Sequence, residues 1–166
     1  MWYVIWTGVG NEEKVSQQLA SMCPDGSSER YFIPKRCELI KYKKNWTCED
    51  RILFPGYIFV ETEAVEDVFF QLDKTVRPAK ILRCDKEFVP VSEEERSFIH
   101  QLIGDDGVAG ISIGEIKDHV VTITSGPLKG LEGIIKRIDR HKRRAYLEVD
   151  LFDRTINVRM ALEVRA

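Results

Sequence analysis

Spacings that would gather a metal or a redox centre are missing from this sequence. Its four cysteines, Cys23, Cys37, Cys48 and Cys84, include no Cys-x-x-Cys pair, and His100, His119 and His141 are scattered. Neither a zinc site nor a disulfide framework is indicated, and the cysteines are expected to be reduced. No apolar run approaches the roughly 18 residues of a membrane span, and Met1 to Trp6 lacks the basic flank and cleavage pattern of a signal peptide. A cytoplasmic protein is expected, in which the Asn45-Trp46-Thr47 match to a glycosylation acceptor is accidental. Also absent are a P-loop, a dinucleotide glycine fingerprint and a Gly-x-Ser-x-Gly elbow. The Asp105-Asp106 pair lies in a glycine-rich stretch where no water-excluding pocket is expected. The sequence therefore predicts neither an enzyme nor a bound cofactor.

What the chain does contain is charge, unevenly placed. Residues 114–166 carry 11 Lys/Arg against 8 Asp/Glu, a balance of +3, while residues 1–113 carry 14 against 19, a balance of −5. A weakly acidic front joined to a basic back favours partners of different kinds. The basic charge is densest between Lys136 and Arg144, where six Lys or Arg accompany one acid, Asp139. Lys136, Arg137, Arg140, Lys142, Arg143 and Arg144 are candidates for RNA phosphate contacts, with Lys129 on a neighbouring glycine turn and His141 able to stack on a base. The bland alternative is a solvated hairpin tip that keeps the domain soluble. Lys35, Arg36, Lys41, Lys43 and Lys44 form a second basic group, and charges on an exposed hairpin ordinarily discourage edge-to-edge pairing.

Local patterning divides the chain. Residues 2–6 read as a strand, and Asn11 is placed to cap a helix with Glu12 and Glu13 in its first turn and Val15, Leu19 and Met22 on one face. Pro24-Asp25-Gly26 ends that helix. Strand pieces follow at 31–33 and 39–42, and residues 52–60 read as one bent strand with Pro55-Gly56 at the bend. Val65, Val68, Phe69 and Leu72 signal a second helix, and a short strand follows near 80–83. Ser92 and Glu95 make a capping box for a third helix bearing Phe98, Ile99, Leu102 and Ile103, with Gly104 as its stop. The order β-α-β-β-α-β with an extra helix predicts an α+β protein whose front is a ferredoxin-like αβ sandwich over residues 1–103. Small and turn-forming residues mark 104–113 as a linker. Beyond it, β-rich runs at 120–124, 131–138, 144–151, 155–160 and 162–164 predict a small SH3-like barrel over 114–166.

Trp2-Tyr3-Val4, Glu13, Val15, the stretch Phe54-Pro55-Gly56-Tyr57-Ile58-Phe59-Val60 and the helix at 90–103 resemble the N-terminal domain of the NusG family. The run from Val121 through Gly126-Pro127-Leu128-Lys129-Gly130 to Ile135 resembles the KOW module that follows it. Phe152-Asp153-Arg154 stands where the family commonly has Phe-Gly-Arg. The resemblance implies a transcription elongation factor whose N-terminal domain rests on the clamp helices of RNA polymerase and suppresses pausing. By the same resemblance, Phe54, Tyr57, Phe59 and Leu82 are the polymerase-binding positions, and the KOW domain recruits a small-subunit ribosomal protein, Rho or RNA. Among specialised branches the chain looks most like the LoaP antiterminators, which implies recognition of a nascent RNA hairpin by the basic loop. A housekeeping factor with only protein partners for its KOW domain, and a ribosome-associated KOW protein, are the alternatives. Nothing in the sequence demands a dimer, and a monomer is expected.

Overall fold

The computed structural model describes residues 1–24, 26–75, 79–84 and 86–165, the Cys84 side chain excepted. Asp25 of the expected Pro24-Asp25-Gly26 stop lies outside these residues. In chain order the elements are β1 (Trp2–Trp6), α1 (Glu12–Met22), β2 (Arg30–Phe32), β3 (Lys35–Tyr42), β4 (Asn45–Ile52), β5 (Tyr57–Glu61) and α2 (Val65–Leu72). They continue with β6 (Lys80–Ile81), β7 (Arg83–Cys84), β8 (Glu87–Phe88), α3 (Glu93–Ile103), β9 (Val108–Ala109) and β10 (Ser112–Lys117). The remainder is β11 (Val120–Ser125), β12 (Ile135–Asp139), β13 (Arg144–Leu151) and β14 (Arg154–Arg165), with a 3-10 turn at Glu132–Ile134. Two compact units result, residues 1–33 with 54–96, and residues 34–53 with 97–166.

In the first unit an antiparallel sheet of order β2-β5-β1-β6 carries the expected ferredoxin-like arrangement. Its central strands are apolar on both faces, as strands covered on both sides must be. One face presents Tyr3, Ile5, Ile58 and Val60 to Val15 and Leu19 of α1 and to Val65, Val68 and Leu72 of α2. The helical spacing of those five residues puts them on the inward stripes that drive docking. The expected bent strand over 52–60 is instead two strands in different sheets, β4 ending at Ile52 and β5 starting at Tyr57. Pro55 has no N–H for a ladder, and Gly56 takes a φ of +91° that reverses the chain.

The helix starts also differ in detail. Asn11 does not cap α1; its side-chain amide donates to the Thr7 carbonyl at 3.1 Å. Glu12, buried, ties the helix start to its surroundings instead, its carboxylate accepting the Gly56 N–H at 2.8 Å and the Gly10 N–H at 3.0 Å, neither of them a helix donor. Ahead of α3 the capping box forms as expected, the Ser92 N–H donating to Glu95 at 3.0 Å and the Glu95 N–H to the Ser92 hydroxyl at 3.1 Å.

The second unit contains the β3/β4 hairpin, in continuous register from Lys35↔Ile52 to Tyr42↔Asn45, with β9 parallel to β3 on its other side. Cys37 and Cys48 are joined by a disulfide, which corrects the expectation that the cysteines are reduced. Sequence spacing gave no hint of it because hairpin register, pairing Leu39 with Cys48 and Cys37 with Asp50, is what brings their Cα atoms to 5.4 Å. The expected barrel is a five-stranded sheet of order β11-β10-β14-β13-β12. Three of its details differ from expectation. β10 begins inside the glycine-rich stretch, residues 132–134 form a 3-10 turn, and 154–165 is one strand of 12 residues. Gly126 sets the tightest corner: at φ +97° its Cα approaches Ser112 so closely that a Cβ would lie 2.5 Å from the Ser112 Cα.

Candidate nucleic-acid interface

The basic run folds as the turn between β12 and β13. Asp139 organises it, its carboxylate accepting the Lys142 N–H at 3.0 Å; that bond, aided by the charges of Lys142 and Arg137, holds its carboxyl below the ordinary value. Local side-chain capture of a backbone N–H is what aspartate does in turns. Arg140, His141 and Lys142 project into solvent at the tip, and Lys136 and Arg137 are exposed on β12. Among the described residues neither Arg140 nor Lys142 forms an ion pair, although the charge of Lys142 acts on the Asp139 carboxylate. Lys129, also exposed, belongs to a different turn, Gly126–Gly130, where its carbonyl accepts from Gln101 at 3.3 Å.

The last two candidates are engaged inside the second unit. Arg144 donates to Glu38 at 2.7 Å, with side chains only 16% and 14% exposed. Glu38 also meets Arg36 at 3.7 Å and Arg51 at 3.2 Å. Arg143 stacks on Trp46 at 4.4 Å and lies 3.7 Å from Glu163. The β3/β4 hairpin, read from sequence as a separate basic group, thus uses one carboxylate and one indole to hold the base of the turn.

The four positions marked for polymerase lie on or against one sheet face, the one turned away from α1 and α2. Phe59 pairs with Phe32 on β2 and with Val4 on β1, and the Leu82 N–H donates to the Val4 carbonyl at 2.9 Å, so the four form one transverse row. Tyr57 is two residues from Phe59 on β5, paired with Trp6, and the two rings meet edge to face at 5.0 Å. Phe54 packs on Phe59 at 6.0 Å. Phe54 and Phe59 are fully buried, Tyr57 is buried and Leu82 half-buried.

Sequence reasoning missed Glu12, Glu38 and Trp46, and it missed Tyr146 and Arg159 on the barrel. Arg137 lies over the Tyr146 ring at 4.0 Å and Arg159 lies 5.8 Å from the same ring. A hydrogen bond from Arg144, then the charges of Arg144, Arg137 and Arg159, hold the Tyr146 phenol below its ordinary value against a smaller opposing effect of burial. Strand alternation from the buried Ala145 and Leu147 was the available signal.

An αβ sandwich with an apolar sheet face, followed by a small β-barrel bearing a cationic turn, is the architecture of a binding factor in transcription rather than of an enzyme. The chain belongs to the NusG family. Residues 1–100 match the family model described as transcription termination factor nusG, and residues 117–148 match the KOW motif. It is similar to the transcription termination/antitermination protein NusG of Helicobacter pylori, 23% identical over 159 residues that cover 93% of this chain and 90% of that protein. The NusG protein of Bacillus subtilis is 26% identical over 167 residues, covering 96% and 93%. Among solved structures, one described as domain interaction in Thermotoga maritima NusG matches with a TM-score of 0.59 at 25% identity, covering 96% of this chain and 92% of that one.

Proposed function

We propose that this protein is an elongation and antitermination factor that binds RNA polymerase through its N-terminal module, residues 1–103, and a nascent RNA hairpin through its KOW module, residues 114–166, with 104–113 between them. The observation that carries the RNA assignment is the β12–β13 turn, where Arg140, His141 and Lys142 are exposed and neither Arg140 nor Lys142 forms an ion pair among the described residues. The polymerase assignment is supported by family membership; of the four marked positions Leu82 is half-buried, while Phe54, Tyr57 and Phe59 are buried around it on or against the same sheet face. The action is differential binding: a factor that favours the elongating over the paused state by about 1.4 kcal/mol shifts their ratio tenfold. A hairpin stem hides its base edges in a narrow groove, so phosphates and an opened loop or bulge are what such a turn can grip. This is the LoaP-like specialisation within the family.

A second reading, a KOW module with protein partners only, is favoured by one observation: Arg143 and Arg144 are already occupied by Trp46 and Glu38. Binding of the full chain to structured leader RNAs and to scrambled controls across a salt series separates the two. The proposal expects one RNA to bind tightly, the doubly substituted Arg140→Gln/Lys142→Gln protein to lose it, and the salt slope to fall by about 0.7–0.9 per lost contact. Equal, weak binding to every RNA would sustain the protein-only reading.

A further inference from the structure

We propose that the outer face of the barrel sheet beside the turn is a second part of the RNA site, in which Arg137 and Arg159, set on either side of Tyr146, hold neighbouring phosphates of the RNA backbone. This rests on the RNA reading of the turn and extends it from the tip onto the strands. Arg137 on β12 pairs with Tyr146 on β13, and Tyr146 pairs with Arg159 on β14, so the three residues form one row across the sheet. Alternation sends them outward: Ala145, Leu147, Val158 and Met160, their immediate chain neighbours, are buried in the barrel. The register shift between Ile135 and Arg137 places a bulge beside the row, a device that re-aims side chains at functional edges.

Charge distinguishes this row from ordinary cross-strand packing. One arginine stacked on a tyrosine is a common stabilising pair. Two arginines within 6 Å of the same ring repel one another, and among the described residues neither forms an ion pair, although the charge of Arg137 acts on the Asp139 carboxylate. Four other guanidiniums of this unit are answered, Arg144 and Arg51 by Glu38 and Arg143 and Arg165 by Glu163, whereas Arg140 at the turn is not. Arg144, already paired with Glu38, also holds the Tyr146 phenol below its ordinary value, together with Arg137 and Arg159. Planar guanidinium forks suit phosphate oxygens, and the ring between them fixes their planes so that less side-chain entropy is lost on binding. Arg137 is three residues from Arg140, so a strand gripped at the tip is led onto the row. A polymer with a charge at every unit fits this continuity better than a small anion does.

The test uses the full chain with the structured leader RNA that it binds most tightly across the salt series, and polyglutamate as an acidic polypeptide control. Arg159→Gln should weaken RNA binding several-fold and lower the slope of log affinity against log salt by about 0.7–0.9, as loss of one phosphate contact requires. Arg159→Lys should keep the slope while losing part of the affinity, a pattern that misfolding would not give. If Arg140→Gln/Lys142→Gln abolishes binding while Arg159→Gln changes neither affinity nor slope, the row is not part of the site, although the turn is. Failure of the unsubstituted protein to bind any structured leader RNA better than its scrambled control would overturn the RNA reading and this extension together. Tighter binding to polyglutamate than to RNA would overturn the choice of occupant.

Discussion

Gly56 and Trp6 show how much one residue can carry. A Cβ at Gly56 would come within 2.6 Å of the Trp6 ring, and the φ of +91° is one that residues with side chains avoid. Gly56→Ala should therefore destabilise the first unit by about 2–4 kcal/mol, read from the denaturant midpoint. The N–H of the same glycine is held by Glu12, and Glu12→Ala should cost about 2–3 kcal/mol because a buried donor loses a charged acceptor. At the other end of the chain, Phe152 and Asp153 both have φ above +50°, which marks a two-residue hairpin turn that favours glycine second. The family's glycine is thus explained, and Asp153→Gly should stabilise by about 0.5–1 kcal/mol in the same measurement. Glu132 supplies a pH prediction. Its carboxylate accepts the Ile123 N–H at 3.0 Å, and that bond holds its pKa below the ordinary 4.5. A depressed folded pKa gives stability that is present above the ordinary value and lost as pH falls through the folded one. Glu132→Gln should be less stable than the parent at neutral pH, and the gap should close in acid below that range.

At the scale of elements, the hairpin β3/β4 and the turn after β12 act as a pair through Glu38. Glu38→Ala leaves the little-exposed guanidiniums of Arg36 and Arg144 without their carboxylate and should destabilise by about 3–5 kcal/mol. In a double-mutant cycle with Arg144→Ala the losses should be strongly non-additive; additive losses would show the two side chains to be independent. The sequence made α1, α2 and α3 legible because each writes its core stripe locally, as Val65, Val68 and Leu72 do. It also made the basic turn legible as a block of charge. It could not show that Arg144 serves Glu38, 106 positions earlier, or that hairpin register brings Cys37 to Cys48. Those depend on strand pairing, which local periodicity does not encode. The start of β10 was hidden because the glycines around it are turn signals, whereas here Gly114 lies within a paired strand. The buried state of Phe54 and Phe59 was hidden for a related reason: alternation gives the face a residue shares, not what covers it.

At the scale of the whole chain, residues 1–100 match the NusG family model and residues 117–148 the KOW motif, the first including the apolar sheet and the second the cationic turn. Association with polymerase should then depend on the first and barely on salt, and association with RNA on the second and steeply on salt. The most direct measurement is the lifetime of defined transcriptional pauses by purified RNA polymerase, with RNase-resistant association followed in parallel, for the parent protein and for Leu82→Asp. The account predicts shortened pauses and increased readthrough with the parent, and an effect lost by Leu82→Asp while its folding and RNA binding persist. Pauses left unchanged at saturating protein, with no polymerase retained after RNase, would contradict it.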